Sequence, residues 1–269
     1  MAMSKSISVC NQKGGVGKTT TAVNVGAYLA LSGKRVLIID LDSQGNATIS
    51  SGSEKGVTSK TVYDVIVEGA SFDDVIVSSC VEKLDIVPSS IDLAGVDIQI
   101  SQFDDREYII RKSCEKVRET YDVILFDCPP SLGLLTVNAL VASDDVLIPV
   151  QCEYLALEGL NTLMKAIELV KKGPNPQLGI GGIVFTMVDT RANLTKEVTD
   201  EVRKFFGALV CETTIPRNVR LAESPSFGKP ICAYDPHSAG ASAYQLLANE
   251  LSEKLIDKEL QMKKYDVAI

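Results

Sequence analysis

One stretch of the sequence has the residue types of a phosphate-binding loop. It covers residues 13–20 and consists of Lys13, Gly14, Gly15, Val16, Gly17, Lys18, Thr19 and Thr20. Glycines lack a Cβ atom, so the backbone N–H groups around them can turn inward and approach phosphate oxygens closely. In this pattern Lys18 supplies a positive charge at the terminal phosphates, and the Thr19 hydroxyl supplies a ligand for Mg²⁺. The stretch therefore predicts binding of a nucleotide together with its magnesium ion.

The sequence on either side of this loop predicts the elements that such a site needs. Residues 7–10 are short, apolar and partly β-branched, as in a buried strand, and apolar residues recur near helical spacing over 22–30. A helix that begins at the loop adds unpaired N–H groups and the positive end of its dipole. The loop departs from the common P-loop pattern at one place. Gln12 stands where the first glycine is expected, and an additional lysine, Lys13, precedes the glycines.

Two apolar runs end in aspartate, at the end of the strand where ligands of parallel α/β sheets bind. Residues 36–39 lead into Asp40 and Asp42, which are two residues apart and point to the same side while the strand continues. One of these carboxylates can organise the loop or the metal shell, and the other can orient a water molecule. Residues 121–126 lead into Asp127, an arrangement in which the carboxylate holds Mg²⁺ directly or through water.

Composition limits the class of protein further. The net charge of −8 over 269 residues argues against a protein that is basic throughout, so nucleic-acid binding must come from a local patch or be weak. The seven cysteines form no C-x-x-C pair, and the single histidine excludes histidine-based triads and most zinc sites. No apolar run reaches the roughly eighteen residues of a membrane span, and the first residues do not resemble a signal peptide. We therefore expect a cytoplasmic protein.

Strand-like and helix-like segments alternate along the chain without a linker or an internal repeat. This pattern predicts one doubly wound α/β domain over residues 1–269, with a mostly parallel sheet flanked by helices. We expect an ordered core over about 5–257 and a flexible tail over about 258–269. The pattern also predicts a covering helix within 93–120 and a last strand over 209–214.

Five motifs occur along the chain in the order KGGVGKTT, DLDSQGN, FDCPPSLG, TMVDTR and IPRNVRLAESPSFGKPI. Together they resemble the motifs of ParA/Soj-type chromosome and plasmid partition ATPases, which belong to the deviant Walker A class that also contains MinD. The resemblance implies a slow, Mg²⁺-dependent ATPase that forms an ATP-bound sandwich dimer. It assigns Asp42 to positioning the attacking water, and Lys13 to reaching the partner's phosphates, where it acts as an arginine finger does. The family's adenine pocket maps onto Met187 and the turn Pro216-Arg217-Asn218.

The same resemblance implies macromolecular partners. Partition ATPases of this type bind double-stranded DNA without sequence preference when they carry ATP, and a centromere-binding (ParB/Spo0J-like) partner stimulates their hydrolysis. The positions that match the family's DNA-contacting arginines are Arg191 and Arg220, with Lys229 a weaker candidate. A few basic side chains, doubled by dimerisation, give a modest and salt-sensitive affinity. The resemblance thus predicts a nucleoid-associated protein whose dimer binds DNA better than its monomer.

Other P-loop proteins remain as alternatives. A MinD-like division-site ATPase would bind membrane through a basic amphipathic C-terminal helix, whereas residues 251–260 mix acids and bases. An electron-transferring relative would need paired cysteines at a dimer interface, and a metabolic P-loop protein is a further alternative. A binding module with an inactive nucleotide site is the weakest alternative, because Lys18, Thr19, Asp42 and Asp127 are all present.

Overall fold

The structure, a computed structural model, describes residues 4–53, 60–154 and 156–257. The expected flexible tail over 258–269 lies outside the described residues. The strands are β1 (Lys5–Val9), β2 (Val36–Asp40), β3 (Val77–Ser78), β4 (Leu84–Val87), β5 (Val123–Asp127), β6 (Asp145–Gln151) and β7 (Gly179–Thr186). They form one sheet in the order β3-β4-β2-β5-β1-β6-β7. Neighbouring strands are parallel except β3 and β4, which are antiparallel.

Helices connect these strands and cover both faces of the sheet. They are α1 (Lys18–Leu31), α2 (Asn46–Ser50), α3 (Val62–Glu68), α4 (Val96–Ile100), α5 (Ile109–Ser113), α6 (Val117–Thr120), α7 (Leu134–Ala142), α8 (Ala156–Lys172), α9 (Asn193–Phe206), α10 (Val219–Glu223), α11 (Ile231–Tyr234) and α12 (Ala239–Leu251). A π-helical segment, Ser252–Asp257, continues from α12. Within the described residues, no helix is both long enough and apolar enough to cross a membrane. The predicted mostly parallel α/β sheet is confirmed.

The central strands are buried on both faces, which explains their continuous apolar sequences. In β5, Ile124 and Phe126 face one hydrophobic cluster, while Val123 and Leu125 face the other. Successive side chains of a strand point to opposite faces, so a strand between two helical layers needs apolar residues at every position. The pairing of β5 with β1 and with β2 places the carboxyl ends of these three strands side by side. The predicted site residues follow those ends.

Two predicted elements are wrong in detail. The helix expected within 93–120 is divided into α4, α5 and α6, and the chain turns between α4 and α5, where Asp105 has a φ of 55°. The strand expected over 209–214 forms only an isolated bridge between Val210 and Ile183. The Cys211 N–H still donates to the Ile183 carbonyl at 2.8 Å, but the N–H groups of residues 212 and 213 donate to the Glu250 carboxylate at 2.8 and 2.9 Å. A side chain on α12 thus interrupts the strand ladder after one hydrogen bond.

Candidate nucleotide-binding site

The loop between β1 and α1 has the backbone conformation of a phosphate-binding loop. Gly15 and Gly17 adopt φ values of 76° and 87°, a region in which residues with a Cβ are strained. Gly17 immediately precedes α1, and within the described structure no side chain caps that end of the helix. The first N–H groups of this 14-residue helix are therefore available to an anion, on which the helix dipole also acts. The loop therefore has the backbone conformation for which the sequence predicted glycines at these positions.

The two lysines of the loop have different surroundings. Lys18 is buried, and its Nζ donates to the Lys13 carbonyl at 3.1 Å. Burial lowers the pKa of Lys18, although the nearby Asp127 carboxylate opposes that shift. The Lys13 side chain is about 39% exposed, and its ammonium forms an ion pair with Glu153 of the same chain. Lys18 is thus placed inside the loop, whereas Lys13 lies at its rim.

Asp127 is a buried carboxylate at the base of the site. It is fully buried, and neither of its carboxylate oxygens has a hydrogen-bond partner among the described residues. Burial raises the pKa of Asp127 well above its usual value, and the neighbouring Asp40 raises it further. The Thr19 hydroxyl and the Lys18 ammonium are close enough to lower it, but they do not reverse the shift. A buried carboxylate without a partner, next to a threonine hydroxyl, fits Mg²⁺, which takes one or two protein oxygens and completes its shell with phosphate and water.

Asp40 and Asp42 lie in different surroundings although they are only two residues apart. The strand register places Asp40 directly beside Asp127. The Asp40 carboxylate accepts hydrogen bonds from the Thr48 N–H at 2.8 Å, the Thr48 hydroxyl at 2.7 Å and the Asp42 N–H at 3.2 Å. Burial raises the pKa of Asp40 to about 6. Asp40 therefore anchors the segment that carries Asp42, whose carbonyl also accepts a hydrogen bond from the Ser89 hydroxyl at 2.5 Å.

The residues predicted for the adenine lie together in a cleft beside the loop. Backbone hydrogen bonds from Val188 to Ile215 at 2.9 Å and from Arg217 to Val188 at 3.1 Å hold two distant segments side by side. The Thr186 hydroxyl donates to the Val16 carbonyl at 2.8 Å, which joins this cleft to the phosphate loop. The cleft has a volume of about 230 Å³. Its lining includes all four predicted positions, Met187, Pro216, Arg217 and Asn218, together with Gly15, Gly17, Thr20, Thr186, Ile215, Leu221, Ala222 and Tyr244.

The two arginines predicted to contact DNA are exposed, but both are paired with carboxylates. Arg191 is 88% exposed and forms two hydrogen bonds to Asp189, at 2.8 and 2.7 Å. Arg220 lies 2.9 Å from Glu223 and 3.3 Å from Asp235. Asp189 and Glu223 are close to their arginines in sequence, whereas Asp235 lies fifteen positions from Arg220 and only the fold brings these two residues together. Lys229, the weaker candidate, is also exposed.

Comparisons with known proteins agree with this geometry. A family model described as an AAA domain matches residues 4–180. The sporulation initiation inhibitor protein Soj of Bacillus subtilis is 53% identical over 93% of this chain and 99% of its own length. The chromosome-partitioning ATPase Soj of Treponema pallidum is 49% identical, over 93% of this chain and 97% of its own. A solved structure of cobyrinic acid a,c-diamide synthase from Mycobacterium smegmatis, with bound ADP and magnesium, has a TM-score of 0.80 at 34% identity and covers 92% of this chain and 93% of its own.

The similarity to the two Soj proteins extends through both halves of the nucleotide site. The matched family model ends at residue 180 and so contains the phosphate loop, Asp42 and Asp127, whereas the Soj alignments also span most of the remaining third of the chain. Sequence identity at this level, over nearly the full length of both aligned chains, shows membership of one family and not only a shared fold. The chain belongs to the ParA/Soj family of P-loop ATPases with the deviant Walker A motif.

Proposed function

We propose that this chain is a Mg²⁺-dependent partition ATPase, with one P-loop domain over residues 1–269, that hydrolyses ATP to ADP and phosphate. The observation that carries the proposal is the unpartnered, fully buried Asp127 beside Lys18 and Thr19 at the base of the glycine loop. An isolated buried carboxylate is costly unless a cation compensates it. The names of the Soj and ParA relatives support chromosome partition as the use of this site. The magnesium nucleotide bound by the diamide synthase supports the cofactor.

Each residue of the site has a defined task in this reaction. The N–H groups of the loop and the start of α1 would bind the phosphates, and Lys18 would hold a positive charge against them. When bound, Mg²⁺ would offset phosphate charge, and Thr19 and Asp127 are the residues placed to hold it. Asp42 would orient the attacking water, held in position by the Asp40 hydrogen bonds. Slow turnover is expected, because Lys13 is paired with Glu153 in its own chain and is not positioned to act within it.

The proposal includes an ATP-bound homodimer. In that dimer Lys13 of each protomer would reach the partner's phosphates, so its ion pair with Glu153 would have to open. The Lys13 carbonyl accepts a hydrogen bond from the Lys18 Nζ at 3.1 Å, so Lys18 would keep its place if only the Lys13 side chain moved. Dimerisation would complete the active site and link hydrolysis to assembly.

The proposed targets are non-specific double-stranded DNA and a centromere-binding partner of the ParB/Spo0J type, in a nucleoid-associated cytoplasmic protein. Arg191 and Arg220 are the proposed DNA contacts. The end of the described chain supports DNA over a lipid surface. Leu251 and Ile256 are buried against the domain, and Asp257 forms an ion pair with Lys34 at 2.7 Å. The apolar side chains of this segment are therefore packed inside the protein instead of being presented to a membrane.

The test is retention on DNA with ATP and with ADP, over a series of salt concentrations, with anionic liposomes run in parallel. We expect retention on unrelated duplexes with ATP only, fading as salt rises. ATP-dependent binding to liposomes with none to DNA would instead support the MinD-like alternative. Lys18→Ala should abolish ATP-dependent retention, and Lys34→Ala, which removes a lysine that pairs with Asp257, should keep it. Equal loss in both variants would indicate a general effect of charge or stability.

A further inference from the structure

Two cysteines far apart in the sequence meet at the nucleotide site. Cys10 follows β1 and leads into the phosphate loop, while Cys128 follows Asp127 at the end of β5. Their sulfur atoms are 2.9 Å apart, and both side chains are about 1% exposed. Because 118 positions separate them, only the pairing of β1 with β5 brings them together.

The backbone geometry is compatible with a bond between these sulfurs. The parallel register pairs Val9 with Asp127, so the next residues, Cys10 and Cys128, follow side by side. Adjacent strands are about 4.8 Å apart, within the range of roughly 4.4–6.8 Å between Cα atoms that a disulfide spans. An S–S bond of about 2.05 Å requires the sulfurs to approach by only about 0.9 Å.

We propose that Cys10 and Cys128 form a reversible disulfide that inactivates the nucleotide site under oxidation by a small peroxide. In the first step, the peroxide oxidises one thiol to a sulfenic acid, breaking its O–O bond and releasing one water molecule. In the second step, the other thiol attacks that sulfur, the S–S bond forms, the S–O bond of the sulfenic acid breaks, and its hydroxyl leaves with the thiol proton as a second water. The two thiols together lose two electrons, and one peroxide gains them. A dithiol reductant restores both thiols by exchange.

The surroundings of the pair show why the bond would matter. Beyond Cys10, the Asn11 side chain donates to the Pro149 carbonyl at 2.8 Å and accepts from the Lys13 N–H at 3.0 Å. A pull on Cys10 is thus transmitted to the start of the phosphate loop. On the other side, Cys128 is covalently next to Asp127, whose carboxylate has no hydrogen bond among the described residues to hold it in place. Displacements approaching 1 Å at reacting groups lower rates by up to about 100-fold.

The same molecule supplies internal controls for the cysteine chemistry. Cys114 and Cys211 are as deeply buried as the pair, and Cys80 is exposed. If burial alone decided the outcome, Cys10 and Cys128 would behave like Cys114. If exposure alone decided it, Cys80 would be the principal site of oxidation. Only proximity of two sulfurs predicts an intramolecular product at Cys10 and Cys128.

The experiment treats the reduced, full-length, nucleotide-free protein with hydrogen peroxide and follows it by peptide mass mapping and ATPase assay. The protein is then denatured in the presence of an alkylating agent, which blocks the free thiols, and is digested without a reductant so that disulfides survive. We expect a peptide linked through Cys10 and Cys128, alkylated Cys114 and Cys211, and ATPase activity lowered at least tenfold and regained with dithiothreitol. Cys10→Ala should keep its basal ATPase activity and lose the peroxide sensitivity. If Cys10→Ala folds poorly, Cys128→Ser replaces it in the experiment and should yield no linked peptide.

Two results would overturn the proposal. One is the absence of the linked peptide at a peroxide dose that oxidises Cys80, which would leave the close sulfurs as ordinary core packing. The other is a formed disulfide with unchanged ATPase activity. The mapping does not depend on the proposed ATPase function, whereas the activity assay rests on it. A reduced protein without any ATPase activity would therefore refute the proposed function, while the linked peptide would still decide whether the bond forms.

Discussion

The DNA proposal can be tested through the number of phosphate contacts that it requires. Arg191 and Arg220 in each protomer give four arginine–phosphate contacts per dimer. Each contact contributes about −0.9 to the slope of log affinity against log salt, so four predict a slope of about −3.6. Between about 50 and 200 mM salt, that slope lowers the affinity roughly 150-fold. Arg220→Ala removes two contacts, so the slope should fall to about −1.8 and the affinity loss to about 12-fold.

The assay is fluorescence anisotropy with a labelled duplex of arbitrary sequence and a non-hydrolysable ATP analogue, which separates DNA binding from turnover. Sedimentation must show that the Arg220→Ala protein still dimerises with nucleotide. Arg111→Ala is the matched control, because Arg111 is an exposed arginine on α5 and the net charge changes equally. A slope unchanged in Arg220→Ala, or reduced equally in Arg111→Ala, would refute the placement of the DNA surface.

Removal of a carboxylate partner of Arg220 should have the opposite effect on DNA affinity to removal of Arg220 itself. Glu223 accepts hydrogen bonds from Arg220 at 2.9 Å and from the Tyr234 hydroxyl at 3.0 Å. Because that carboxylate competes with phosphate for the guanidinium, Glu223→Gln should tighten DNA binding about 2- to 10-fold. Glu212→Gln makes the same change in net charge at a carboxylate that is 90% exposed and lies 3.9 Å from Arg203. Equal gains in both variants would show that only net charge matters.

Three further results are expected at the nucleotide site. Lys18→Ala should abolish ATP binding measured by calorimetry, because the buried ammonium is lost from the base of the loop. Normal ATP-dependent dimerisation of that variant would contradict the assignment of residues 13–20 as the phosphate-binding loop. Asp42→Ala should keep ATP binding and dimerisation but lose phosphate release, and full turnover would remove Asp42 from its role. In EDTA, Asp40 should add a declining component to the pH profile of stability measured by urea unfolding. On the order of 3 kcal/mol from this residue should be lost as pH rises from about 4 to about 6, because the folded pKa of Asp40 is raised from 3.8 to about 6 and the folded state keeps its proton longer than the unfolded one. Asp40→Asn should flatten that decline, and an unchanged profile would show that Asp40 does not titrate in this range.

The phosphate loop could be predicted because its information is local. Residues 13–20 are contiguous, and the strand before them and the helix after them can be recognised from periodicity alone. The same holds for Asp127 at the end of an apolar run. The adenine positions came from the family resemblance, and the structure places them in one cleft because β7 and the 215–218 segment run side by side.

Features that depend on strand order or on competing side chains could not be predicted. The contact of Cys10 with Cys128 requires β5 to lie beside β1, which sequence spacing does not reveal. The 209–214 segment has the apolar and β-branched residues of a strand, yet the N–H groups of residues 212 and 213 donate to Glu250. The second ion pair of Arg220 requires Asp235, which lies in the turn after α11. In each case a partner distant in sequence decides the outcome.

The burial of Asp40 and Asp127 side by side connects the stability of this protein to its ligand. Burial raises the pKa of both carboxylates, and the Asp40 carboxylate on the adjacent strand raises the pKa of Asp127 further, which destabilises the charged, metal-free state. A cation that enters with the nucleotide would relieve that repulsion, so part of its binding free energy would appear as stability of the fold. Asp40 also holds the Asp42 segment through its hydrogen bond to the Asp42 N–H. Relief of charge at the metal position would therefore reach Asp42, the residue proposed to orient the water, because both effects pass through the Asp40 side chain.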